Sequence, residues 1–278
     1  MRVAIVLCTY DGASYLREQL DSLIDQTFTD WHCYVFDDCS TDGTQNILLE
    51  YVGRFPQRFT LAVNKERSGS AAKNFISATE NVFGSEEFDL LCYCDQDDVW
   101  DENKLAILEQ KFHNVDSKRP LLVFSDLSVV DDHLNELHPS FIDRISVGGY
   151  VKHIQRRLIQ IDNIVPGCAL VCNRALLESA VPFSTHTMMH DWWLVLVALK
   201  KGSIVFVPEK LIQYRQHAEN TVGARALNTP AKIRRTIPVI TKFSQIYKMV
   251  KELYPEESRG SLLRRYAYVK LYKFVRFQ

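Results

Sequence analysis

The sequence predicts an α/β fold, a doubly wound and mostly parallel sheet flanked by helices, with a basic helical tail behind it. Three observations carry that reading. Across the first 130 residues, short unbroken apolar runs alternate with stretches of helical period, as strands covered on both faces require. Acidic residues follow several of these runs at once, at the strand ends where such sheets bind ligands. And 278 residues, 46% hydrophobic and 24% charged, can bury a sizeable core without staples.

The elements follow in order. Residues 3–8 form a continuous apolar strand, after which Leu16, Leu20, Leu23 and Ile24 recur at helical spacing. Residues 33–36 are a second strand, and Ser40 or Thr41 can cap a helix carrying Ile47, Leu48, Tyr51 and Phe55. Residues 59–63 are a third strand, followed by a helix from about 70 to 82. Residues 90–94 are a fourth, after which Asp101 can cap a helix with Leu105, Leu108 and Phe112 on one face. Further on, 121–124, 169–172 and 204–207 read as strands and 191–200 as a helix, with a polar, mixed segment at 131–163. This divides the chain into 1–223, with halves at 1–130 and 131–223, and a tail at 224–278.

Charge is divided the same way. The net charge is −1, but residues 225–278 hold 13 of the 33 basic residues and three acids. The seven cysteines include no CxxC pair and lie mostly in apolar runs, which suits buried thiols in a reducing compartment. The N-terminus reads as a strand, not a signal peptide. The longest apolar run, 192–199, is far short of the roughly 20 residues of a membrane span. The expected location is cytoplasmic.

Three acidic groups mark the chemistry: Asp37-Asp38, the run Asp95-Gln96-Asp97-Asp98, and Asp191 at a helix start. Carboxylates packed this closely repel one another, and a divalent cation with oxygen ligands, Mg²⁺ or Mn²⁺, relieves that repulsion and can bridge a diphosphate. Either of Asp38 and Asp101, taken singly, reads equally as a turn or cap residue. GxGxxG, P-loop, GxSxG and HExxH motifs are all absent. A diphosphate would then be held through metal and acids, not a glycine cradle.

Taken together, Thr9-Tyr10-Asp11-Gly12, Asp37 to Thr44, Asp95-Gln96-Asp97-Asp98-Val99-Trp100 and His190-Asp191-Trp192-Trp193 resemble glycosyltransferase family 2. The Asp-Gln-Asp-Asp-Val-Trp form, with Tyr214-Arg215-Gln216-His217 and Asn220, is similar to its rhamnosyltransferase-like branch. The matches run in order from residue 3 to about 220, and Cys39 stands where the family often has glycine. The resemblance implies the GT-A fold and inverting transfer from a nucleotide-diphosphate sugar, dTDP-L-rhamnose, with a UDP-hexose as the rival donor. It places Thr9, Tyr10 and Asp11 at the nucleobase pocket, and Asp38, or alternatively Asp37, on the base or ribose. Asp97 is the implied metal ligand and Asp95 the sugar or ribose contact or a second ligand. Asp98 is a less certain third acid. Asp191 is the implied general base.

The flanking residues keep two readings each. His217 is a third metal ligand or diphosphate donor, with Arg215 as a second donor, or a loop histidine beside a surface arginine. One of Trp192 and Trp193 belongs to the core and the other can stack on an acceptor sugar. Asn74, beside Lys73, can touch the donor near a helix N-terminus. His190 reads as a helix-start residue. The tail interleaves bases with Ile237, Phe243, Ile246, Tyr247 and Val250, which fits an inert solvated face or, as favoured here, an anionic membrane surface. The expected acceptor is a glycan or lipid-linked glycan of a bacterial surface polysaccharide or lipopolysaccharide. No nucleic acid partner is expected. Two other classes, a nucleotidyltransferase and a non-catalytic carbohydrate-binding protein, fit less well. The first needs a basic glycine-rich loop where Cys8–Gly12 stands, and the second needs no metal acids beside a base.

Overall fold

The computed structural model describes residues 1–145, 156–217 and 239–276, with side chains 156, 157, 239, 240 and 272–276 excepted. In chain order the elements are β1 (Val3–Thr9), α1 (Leu16–Ile24), β2 (Trp31–Asp37), α2 (Thr44–Arg54), β3 (Phe59–Val63), α3 (Ala71–Ser85) and β4 (Leu90–Cys94). Then come β5 (Val99–Trp100), α4 (Lys104–Glu109), β6 (Leu121–Val130), β7 (Glu136–His138), α5 (Phe141–Ile145) and α6 (Arg156–Ile159). The chain continues through β8 (Leu170–Asn173), α7 (Arg174–Ala180), α8 (His190–Lys201), β9 (Ser203–Arg215), α9 (Val239–Leu253) and α10 (Arg259–Arg276).

The sheet runs β3-β2-β1-β4-β8-β6-β9-β5, with β7 beside β6. Its first half is parallel: β1 pairs β2 and β4, and β2 pairs β3, all in parallel register. Beyond β4 the sheet is mixed, because β8 is antiparallel to both of its neighbours while β6 and β9 run parallel. The parallel expectation therefore describes the first half. In the second half β8 runs antiparallel to both β4 and β6.

One face of the sheet is covered by α1, α2 and α4, the other by α3, α7, α8 and the tail helices. Six of the seven cysteines are buried, and all are unbridged thiols. α8 is buried nearly all round because it lies between the sheet and α9, which explains an apolar run with no polar face. The tail packs onto this layer. Phe243, Ile246, Met249 and Val250 are buried, and Tyr254 Oη donates to Leu196 O at 2.9 Å. The stripe on α9 that resembles a lipid-binding face is thus spent on the core, although Ile237 lies outside the described residues.

Two helix starts differ from the sequence reading. α2 begins after Gly43, not at Ser40 or Thr41. Asp42 Oδ1 takes the Thr44 N–H at 3.0 Å, and Gly43 supplies the φ of +102° that the turn needs. α4 begins at Lys104, because Asp101 Oδ1 accepts from Asn103 N at 2.9 Å and Asp101 N is tied to Leu211 O. At α3, which begins close to the expected residue 70, the Ser70 side chain caps the helix by accepting from Lys73 N. Among the described residues, no helix is long and apolar enough to cross a membrane.

Candidate active site

The parallel strands deliver their acids to one edge of the sheet, and the loops then treat them differently. Asp37, at the end of β2, is buried and its carboxylate is fully used. It accepts from Thr9 Oγ1 at 2.9 Å, Ser40 N at 2.9 Å, Ser40 Oγ, and Gln45 Nε2 at 2.8 Å. Thr9 and Asp37 therefore brace the loop rather than face a ligand. Asp38 accepts from Ser68 N at 2.7 Å, Ser68 Oγ at 2.8 Å and Asn64 Nδ2 at 2.8 Å. Burial raises the Asp38 carboxyl, but these donors outweigh it and hold it low. Asn74 is buried, gives Nδ2 to Phe36 O at 3.1 Å, and accepts from Asn64 at 3.0 Å. It acts on Asp38 through Asn64, so direct donor contact by Asn74 is not what the structure displays.

Tyr10 is the exposed residue of this group. Its backbone exchanges two hydrogen bonds with the Gln96 amide, at 2.8 and 3.0 Å, which ties the end of β1 to the acidic loop after β4. A Cβ on Gly12 would lie 2.3 Å from that amide, so a larger residue there would have to push the Gln96 side chain away from Tyr10. Asp11, at φ +44°, takes the Thr41 N–H at 2.7 Å, and this bond keeps its carboxyl below the usual range. Over the Tyr10 ring lies the Arg67 guanidinium, 3.8 Å from the centroid.

The second acid set has the opposite character. Burial first, and then the charges of Asp97 and Asp191, push the Asp95 carboxyl up to about 7. Burial and the charges of Asp97 and Asp95 raise Asp98 strongly. Asp98 Oδ1 accepts from Arg215 N at 3.0 Å, whereas the buried Oδ2 has no hydrogen-bonding N–H or O–H among the described residues. Ligand atoms of Asp95, Asp98 and Cys168 lie within 4.8 Å of one another. Asp97 points elsewhere and meets His217, Oδ2 to Nε2 at 2.8 Å. The expected trio of Asp95, Asp97 and His217 is therefore split into two adjoining groups.

Arg215 corrects a second expectation. It is buried, not a surface residue: Nε donates to Asp97 O at 2.8 Å, Nη1 to Asp132 O at 2.6 Å, and Nη2 pairs with Glu18. It clamps the acidic loop, because a planar guanidinium can satisfy three acceptors at once. Tyr15 lies under both Arg215 and His217. Asn220 lies outside the described residues.

Asp191 sits in the first turn of α8, buried beside the turn Gly167–Ala169, with Trp192 N donating to Oδ1 at 2.5 Å. Burial pushes its carboxyl up to about 7 against the lowering pull of the Trp192 and Gly167 N–H groups. The Gly167–Ala169 turn also holds Cys168, whose carbonyl accepts from the buried Lys104 Nζ at 2.9 Å. Lys104 rests on the Trp100 ring, and burial brings its ammonium down to about 8. His190 is stacked against Phe75 and Tyr93, centroids 4.3 Å away, and burial keeps it neutral. Both tryptophans are core residues: Trp192 Nε1 donates to Ile159 O and Trp193 Nε1 to Ala180 O, each at 2.9 Å. Neither presents a face to an acceptor.

Sequence reasoning missed Arg67, Asn64, Lys104 and Cys168. Lys104 had a usable signal, a lysine one position before Leu105 in the apolar stripe of α4. Arg67 had none, since only the folded loop brings it over Tyr10.

Known proteins resemble this chain in sequence and in fold. A dTDP-rhamnosyl transferase, RfbG of Shigella flexneri, is 27% identical over 241 residues, covering 82% of this chain and 77% of that protein. An uncharacterized glycosyltransferase of Nostoc is 24% identical over 229 residues, and this chain spans 66% of its length. Among solved structures, S. aureus TarS 1-349 in complex with UDP-GlcNAc superposes with a TM-score of 0.65 at 15% identity, over 99% of this chain and 73% of that one. The mannosyltransferase PcManGT from Pyrobaculum calidifontis, in complex with GDP-Man and Mn²⁺, gives 0.59 at 20% identity, over 96% and 73%. These two show the fold, which is that of the GT-A glycosyltransferases. The family model for glycosyl transferase family 2 matches residues 4–178, well over half of the sequence, and the chain belongs to that family.

Proposed function

We propose that this glycosyltransferase is a metal-dependent, inverting enzyme that moves L-rhamnose from dTDP-L-rhamnose to a hydroxyl of a glycan or lipid-linked glycan in bacterial surface polysaccharide synthesis. The observation that carries it is the placement of Asp191 beside the Gly167–Ala169 turn, whose Cys168 lies against Asp95 and Asp98. Asp191 is raised to about 7 by burial, and its charge in turn raises Asp95 in the acidic loop. An acceptor-side base and a diphosphate-side acid set therefore adjoin one another, as a single displacement needs.

The donor set fits a hard divalent cation with some nitrogen tolerance. Asp97 and His217 meet at the loop, and the buried Asp98 Oδ2 lacks a donor among the described residues. Carboxylates with one imidazole suit Mn²⁺ at least as well as Mg²⁺. Asp95 and Asp98, whose ligand atoms lie together, are the residues that would hold the ion, with the Asp97–His217 pair adjoining them. Bound there, it would supply charge neutralisation for the departing diphosphate. Tyr10 and Asp38, with Arg67, would bound the nucleobase and ribose; Asp11 and Thr41 fix the loop beside them. In the transfer, the acceptor oxygen bonds to the anomeric carbon as the bond to the diphosphate breaks. The acceptor proton goes to Asp191, whose raised pKa suits a base working near neutral pH. The rhamnose assignment draws on RfbG, named a dTDP-rhamnosyl transferase. A UDP-hexose is the competing donor.

A thermal-shift panel of nucleotide sugars, each with and without Mn²⁺, tests the reading, because a ligand bound to the native state raises its stability by RT ln(1 + [L]/Kd). The expected result is a Mn²⁺-dependent shift largest with dTDP-L-rhamnose. A larger shift with a UDP-hexose would reassign the donor, and no shift with any nucleotide sugar would overturn the reading.

A further inference from the structure

The tail helices leave one surface that the core does not use. α10 seats Leu262, Tyr266 and Val269 against the body, and all three are buried. Yet the other side of the same helix is also apolar: Leu263 is 49% exposed, Tyr268 55% and Leu271 64%. Ala267 lies between them and is exposed as well. Single exposed leucines are ordinary, but Leu263, Ala267 and Leu271 recur at i, i+4 and i+8 on one outer face, with Tyr268 at its border beyond Arg264, and such a stripe is not what a solvated face selects.

The charge on this helix is one-sided too. α10 carries Arg259, Arg264, Arg265, Lys270, Lys273 and Arg276 and no acid. The three acids that precede it are already engaged, one of them with a base of this helix. Glu256 pairs with Lys200 of α8 at 3.0 Å, Glu257 pairs with Arg265, and Glu252 accepts from Ser184. An apolar face set among bases has the composition that enters the boundary layer of an anionic bilayer, with stems buried and charged ends at the headgroups. A second copy of the chain is disfavoured by the same charges, since two such faces would meet base against base.

From these observations we infer that the outward face of α10 seats on an anionic lipid surface through Leu263 and Leu271, bordered by Tyr268, with Arg264 and Lys270 against the headgroups. This moves the membrane contact from α9, whose apolar stripe is buried, to the helix after it. It also places the surface near the acceptor side. Arg265 Nη1 donates to Gln160 Oε1 at 2.6 Å, and the adjacent Ile159 carbonyl accepts from Trp192, next to Asp191. A lipid-linked acceptor would thus approach from the side on which the body rests.

Flotation of the full chain with phosphatidylcholine vesicles, with and without phosphatidylglycerol, tests the inference. The wild type is expected to float with the anionic vesicles, more weakly as salt rises, and not with phosphatidylcholine alone. In Leu263→Glu/Leu271→Glu, partition is expected to fall at least ~10-fold, because two apolar anchors are replaced by charges that the anionic surface repels. Both side chains are exposed, so the variant should keep the wild-type melting temperature, which separates lost binding from lost fold. Equal flotation of wild type and variant, or none by either, overturns the inference. A wild-type dimer in light scattering that the variant dissociates would give the face to a second copy instead. Partition is read without donor or acceptor, so its failure would leave the transfer reading standing, and the reverse holds.

Discussion

The acids after β1 and β2 and the acids after β4 come from the same kind of place, the end of a parallel strand, yet they are kept in opposite states. Asp11, Asp38 and Asp42 are each met by backbone or side-chain donors that hold their carboxyls low. Asp98 and Asp191 are buried and Asp95 is half-buried, and their carboxyls are pushed up against the few donors they meet. Donors from within the chain make a carboxylate part of the scaffold, because its charge is already spent. A carboxylate without them keeps charge in reserve for a cation or a proton, and the folded state bears the cost. Position along the sheet says where a ligand can come, and the state of the acid says which residues await one.

The sharpest way to break that contrast is to remove charge from the unsatisfied set. Asp191→Asn should lower kcat by roughly 10²–10⁴, the usual contribution of a placed base, while donor affinity measured by calorimetry stays within about twofold. The same change should make the fold more robust at high pH. Asp191 has a native pKa of about 7 against an ordinary value of 3.8, so its protonated form is the favoured one in the fold. Stability from this group is present below about pH 4 and lost as pH rises through about 7. The variant should therefore melt several degrees above wild type at pH 8 and close to it at pH 4. A variant less stable than wild type at pH 8 would put Asp191 with the satisfied acids.

Lys104 is the next lever, as the buried cation beside the unsatisfied acids. Lys104→Met keeps the packing on Trp100 but removes the charge and leaves Cys168 O without its donor. Breaking such a buried arrangement costs about 3 kcal/mol or more, so a lowered urea midpoint is expected, with the larger loss at high pH where the acids ionise. Equal loss at all pH values would mean that Lys104 only ties down the Gly167–Ala169 turn.

Much of this frame is legible in the sequence, and the reason is local. Each strand of the first half is an unbroken apolar run, and a parallel strand buried on both faces has to look like one. The acids that follow are visible because strand ends are visible. What was not legible was the state of each acid, since hydrogen bonds to Asp38 come from residues 26 and 30 positions away, Asn64 and Ser68. Arg215 was misjudged for the same reason. Its acceptors on Asp97 and Asp132 and its partner Glu18 converge only when β9 lies against β6 and the acidic loop. The tail was half legible: the helical period was plain, but whether its apolar stripe meets lipid or α8 is decided by packing.

On the satisfied side the contrast predicts stability loss with little effect on chemistry. Asp37→Asn replaces an acceptor of four hydrogen bonds with an amide that can meet only part of them, so Ser40 N or Gln45 Nε2 loses its acceptor. An unsatisfied buried donor costs about 1–3 kcal/mol, and the melting temperature should drop accordingly, with kcat less affected than in Asp191→Asn. If kcat falls as far as it does there, Asp37 touches the donor and the division into scaffold and reserve fails at that strand.

The smallest effect is expected where polar and apolar demands are both already met. Trp193 is buried and its one polar atom is bonded to Ala180 O at 2.9 Å. Trp193→Phe removes that bond and part of the ring while keeping an aromatic in the core. The expected cost is about 1–2 kcal/mol, a downward shift of a few degrees in melting temperature. The Michaelis constant for any acceptor should not move, because the indole has no open face to offer one. A rise in that constant at unchanged donor affinity would restore the tryptophan to the acceptor site, and would require α8 to open when an acceptor arrives. The contrast would then reach beyond the acids, since a residue satisfied in this structure would be exposed in the working one.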